Sequence, residues 1–173
     1  MLMKKAFVFS LIGVVVVLSM ISTVNAQTNY SDKAASAFGV GTFVHDHEGT
    51  PHNHYFAFSV SDGNPKVSWN HKPDSRFYML ATHEKEIHMI VKSDQIQSFK
   101  VMTVDGGLNV VFEGIATVKH IDADWEKGWE FTVEAFDYRS QGVDSIHITF
   151  TAPDGTQHHM EGTLTSGNIV IKK

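Results

Sequence analysis

Cysteine is absent from this 173-residue chain. Neither a disulfide nor a thiolate metal site can form, and no lipid can be attached through an N-terminal cysteine. Proline is scarce, with only four residues, and no Pro-rich linker or low-complexity tract interrupts the chain. Basic residues are outnumbered, 14 Lys and Arg against 19 Asp and Glu, which argues against nucleic acid as a partner. The sequence contains no Gly-x-Ser-x-Gly elbow and no phosphate-binding loop, so the common hydrolase and nucleotide-binding classes find no support.

Long apolar runs are equally rare, and the one that exists lies at the start. Lys4 and Lys5 precede an uncharged stretch from Ala6 to Met20, and Val24-Asn25-Ala26 places small residues where a signal peptidase reads. The stretch falls short of the roughly 20 residues a membrane helix needs. The pattern predicts a signal peptide over residues 1–26, a polar segment over 27–36 and a single domain over 37–173. On cleavage the mature form carries no membrane span and is secreted, periplasmic or held at the cell surface; retention of the segment as an anchor is the alternative. The removed part holds two lysines and no acidic residue, so the mature charge moves from −5 to −7, and protonating all eleven histidines reverses it to +4.

What remains is rich in short β-type runs, spaced roughly ten residues apart and closed by turn residues. Strands are predicted near 38–45, 53–61, 65–70, 76–82, 86–92, 96–104, 108–118, 128–139, 144–152, 156–164 and 167–172. Asp62-Gly63, Asp105-Gly106 and Pro153-Asp154-Gly155 lie between them, where glycine supplies the positive φ of tight hairpins. Alternation supports the period: Phe131, Val133 and Ala135 share one face, as do Ile146, Ile148 and Phe150. About ten short antiparallel strands imply an all-β domain, a β-sandwich by slight preference and a closed β-barrel as the alternative. With no covalent staple, burial alone must hold it together.

A string of fixed points carries a family resemblance. Gly41-Thr42-Phe43, Phe56-Ala57-Phe58 with Asp62-Gly63, Phe112-Glu113-Gly114, Phe131-Thr132-Val133 with Asp137, Gly142 and Asp144 are followed by Gly162-Thr163-Leu164-Thr165-Ser166-Gly167-Asn168-Ile169. In their spacing these elements resemble the post-COAP domains, small secreted β-domains found alone or appended to exported proteins. The resemblance implies an extracellular, sandwich-like binding or accessory module without assigned catalytic residues. The histidine-rich segment 45–54 departs from that pattern.

That segment, His45-Asp46-His47-Glu48-Gly49-Thr50-Pro51-His52-Asn53-His54, is two His-x-His pairs flanking a turn. With a four-residue turn from Glu48 to Pro51, His45 opposes His54, His47 opposes His52, and all four share the face that continues inward as Phe43 and Phe56. Four imidazoles on one face make a candidate site for zinc or copper at His45, His47, His52 and His54, with Asp46 and Glu48 placed to orient the rings. A one-residue change of register would turn the two strands' rings to opposite sides.

Three readings follow: a secreted non-enzymatic binding module with this metal site; an adhesion or accessory domain with incidental histidines at a solvated or pH-responsive tip; and a metal-dependent hydrolase or hydratase that keeps one coordination position open. Its partner would be an extracellular ligand or protein. His83 with His88, and His158 with His159, are secondary ligand candidates, while His71, His120 and His147 stand isolated. Asp122, Asp124 and Glu126 form a weak calcium signal without the glycine of a dedicated loop. Trp69, Trp125, Trp129 and Tyr138 are candidates for a sugar-stacking platform.

Overall fold

The computed structural model describes residues 35–47, 49–61, 75–83, 86–139 and 142–173. The strand predicted at 65–70, the Asp62-Gly63 turn, Trp69, His71, Glu48 and the signal-peptide segment lie outside them. The chain divides into two units, Met1–Tyr30 and Ser31–Lys173, and every described residue belongs to the second. No helix among the described residues is long and apolar enough to cross a membrane.

Among those residues eight strands follow one another: β1 Ser36–His47, β2 Thr50–Ser61, β3 Arg76–His83, β4 Glu86–Val104, β5 Gly107–His120, β6 Glu126–Asp137, β7 Ser145–Thr151 and β8 Gln157–Lys172. Each pairs antiparallel with the next, and β8 returns to pair with β1, from Ser36 opposite Lys172 to Phe43 opposite Leu164. The domain is all-β, as expected, and takes the form of a closed up-and-down barrel. The preferred sandwich, also implied by the post-COAP resemblance, is set aside because the β8–β1 ladder leaves no edge at which two sheets part.

Of the eleven spans predicted, eight strands stand among the described residues, because 65–70 lies outside them and two bulged strands were each read as two. Residues 86–92 and 96–104 are one strand, β4, whose register against β5 slips between Ser93 and Gln95 and again between Ile96 and Ser98. Residues 156–164 and 167–172 are likewise one strand, β8, with a slip opposite Thr42 and Phe43. Such bulges sharpen the bend of a long strand around a small barrel.

Strand alternation sends one set of side chains into the barrel. Phe43, Phe56, Phe58, Phe77, Phe112, Phe131 and Phe150 are all buried there, and their rings meet at centroid distances of 5.1–6.5 Å. Gly39 makes room for this packing, since a Cβ at that position would lie 2.3 Å from the Phe58 ring. An eight-stranded barrel is just wide enough to be filled by side chains. The phenylalanines fill the interior, and any site must open at an end.

Candidate metal centre

In an up-and-down barrel alternate hairpins turn at the same end. The β1–β2, β3–β4, β5–β6 and β7–β8 connections therefore gather at one mouth, and each brings histidines: His45, His47, His52 and His54 from the first, His83 and His88 from the second, His120 from the third, His158 and His159 from the fourth. A cavity of about 380 Å³ opens there, and eight of the chain's eleven histidines border it, together with Met89, Gln157 and Met160.

The β1–β2 hairpin is tighter than expected. His47 faces Thr50, His45 faces His52 and Phe43 faces His54, so the pairs predicted to be opposed are instead diagonal neighbours. Glycine decides this: Gly49 adopts φ 82° and its N–H donates to Asp46 Oδ1 at 2.7 Å, which closes the turn two residues sooner. The register moves by two, an even number, so the four histidines keep the common inward face. Their rings stay close, with centroids 6.1 Å apart for His45 and His54 and 6.0 Å for His47 and His52. Asp46 is exposed and holds the turn, rather than orienting an imidazole.

His52 is the hub. Its ring stacks on His83 at 4.8 Å and meets His88 edge-on at 5.0 Å, in addition to its contact with His47. Two imidazoles bound to one tetrahedral ion through nitrogens at 2.0–2.1 Å have ring centres about 5 Å apart. The steep His52–His88 pair matches that spacing, and His47 is about an ångström further out. No three His, Asp or Glu side chains among the described residues stand placed to hold an ion as they are. Assembling a set of three requires side chains at the mouth to turn.

His54 lies deeper, stacked on Phe43 at 4.9 Å, only 3% exposed. Both of its ring nitrogens are buried without a hydrogen-bond partner. Burial first, then the neighbouring His45, His52 and His88, push its pKa down to about 4. Burial and surrounding histidines also lower His52 and His88. Depressed pKa values keep these rings neutral at pH 7, the form that binds metal. His45 differs: its Nδ1 accepts the Glu161 N–H at 3.3 Å, tying β1 to β8 and requiring a proton on Nε2. It must leave Glu161 before it can serve as a ligand.

On the wall formed by β4, β5 and β8, His88, His158 and His159 were secondary candidates, whereas His120 was missed. His120 carried no signal in the linear sequence, yet it stands opposite Met89 and next to buried Trp129, which also packs on His158. Trp129 is thus a core residue, with Nε1 donating to Glu126 Oε2 at 2.9 Å, and Tyr138 stacks on Phe136 instead of joining it. His147 turns to the outer surface, 3.9 Å from Glu161, and His159 reaches the same carboxylate at 3.4 Å from the exposed rim of the cavity. Asp122 and Asp124 are exposed in the β5–β6 turn.

No protein-family model, characterised protein or solved structure matches the chain.

Proposed function

We propose that this chain is an exported, non-enzymatic binding barrel whose histidine-lined mouth takes a transition-metal ion, zinc or copper. The observation that carries the reading is the gathering of eight histidines around one cavity, with His54 buried among them and neither of its nitrogens partnered. A buried polar atom without a partner calls for an unseen water or ion, and neutral imidazoles suit zinc and copper. The signal-like N-terminus supports export, and the resemblance to post-COAP domains supports an accessory role.

The test is elemental analysis of the protein purified without an affinity tag, followed by titration with zinc and copper. Stoichiometric metal, weakened at least about tenfold in His47→Ala and His52→Ala, is expected. A protein that carries no metal, and whose melting temperature ignores both ions, overturns the reading.

A further inference from the structure

The cavity holds more than imidazoles. Met89 on β4 and Met160 on β8, each 8% exposed, border it from separate walls. Met89 is paired with His120 across the β4–β5 ladder. Met160 lies between exposed His159 and Glu161, and the Glu161 N–H reaches His45, which brings this part of β8 against the rim of β1. Both methionines therefore border the cavity alongside the histidines.

Charge narrows the choice of ion. Among the described residues no carboxylate borders the cavity, and its donors are imidazole nitrogen, thioether sulfur and one amide, none of which brings a negative charge. A divalent ion held by donors without negative charge keeps its whole charge against a wall that includes buried Met89 and Met160. Because the desolvation cost rises with the square of the charge, a monovalent ion suffers about a quarter of it. Thioether and imidazole are also the soft donors that select monovalent copper, whereas zinc sites commonly add thiolate or carboxylate.

We propose that the mouth is selective for monovalent copper, with Met89 and Met160 as ligands alongside the histidines around His52. This deepens the metal-binding reading and rests on it. The thioethers distinguish the two levels, because zinc has little use for them.

The experiment is an anaerobic titration of the purified protein with monovalent copper against a chromophoric competitor, with zinc titrated in parallel. It is repeated on Met89→Leu, Met160→Leu and the double variant, near-isosteric changes that a melting curve checks for folding. Expected are tighter binding of monovalent copper than of zinc, a loss of about tenfold or more for copper in the double variant, and unchanged zinc affinity. Copper X-ray absorption of the unaltered protein, which needs no variant to fold, should show a sulfur neighbour. Copper bound without sulfur, or no weaker in the variants than zinc, overturns the copper proposal and leaves the metal site standing. Failure to bind either ion overturns both.

Discussion

At the scale of the residue, His54 sets an energetic cost against a chemical use. An imidazole this deeply buried, with both nitrogens unpartnered, forgoes hydrogen bonds to water that the unfolded chain keeps. Its folded pKa of about 4 lies below the ordinary 6.5. As the pH falls below about 6.5 the unfolded chain takes up a proton that the folded one refuses, until the pH nears 4. The metal-free protein thus loses stability across that window, by up to about 3 kcal/mol from this group, and His52 and His88 act in the same direction. Urea unfolding at pH 7 and pH 4.5 measures it. In His54→Leu the loss should shrink, and stability at pH 7 should rise by about 1 kcal/mol. A flat profile in the unaltered protein, or an unchanged one in the variant, contradicts the account.

At the scale of the element, the β1–β2 hairpin shows what could be read in advance. That His45, His47, His52 and His54 share the inward face follows from spacing alone, because strand side chains alternate with period two and both turn lengths leave the parity unchanged. Which ring opposes which was not legible, since Glu48-Gly49 and Glu48 to Pro51 are both acceptable turns. The closer turn prevails through the positive φ of Gly49 and its bond to Asp46. Gly49→Ala should therefore cost about 1 kcal/mol in chemical denaturation, although nothing lies within 4 Å of the added Cβ. A neutral result would show that the turn does not depend on the left-handed conformation. The strand count failed at this scale too: a bulge and a turn both interrupt alternation, and only the partner strand tells them apart.

At the scale of the whole molecule, closure decides both stability and site. Far from the mouth, Asp137 Oδ2 accepts the Ile171 N–H at 3.0 Å and Asp144 Oδ2 accepts the Ile169 N–H at 2.7 Å, so two carboxylates fasten the end of β8 beneath the β6–β7 connection. Asp137 is only 8% exposed and also accepts the Arg139 N–H. Asp137→Ala leaves those amides unpaired and should lower unfolding free energy by about 2 kcal/mol, against a smaller loss in Asp137→Asn. Hydrogen exchange should speed first at 168–172; uniform protection along β8 would contradict a latch at this end.

The β class, core alternation and the shared face of four histidines were determined by the sequence itself, because each rests on neighbours a few residues apart. Tertiary structure alone decided that the sheet closes, and closure placed His88, Met89, His120, His158 and Met160 at the same mouth as the first hairpin. These residues come from strands distant in sequence, and no local pattern records which end of a barrel they reach. Their meeting depends on an even number of reversals and on a last strand that finds the first.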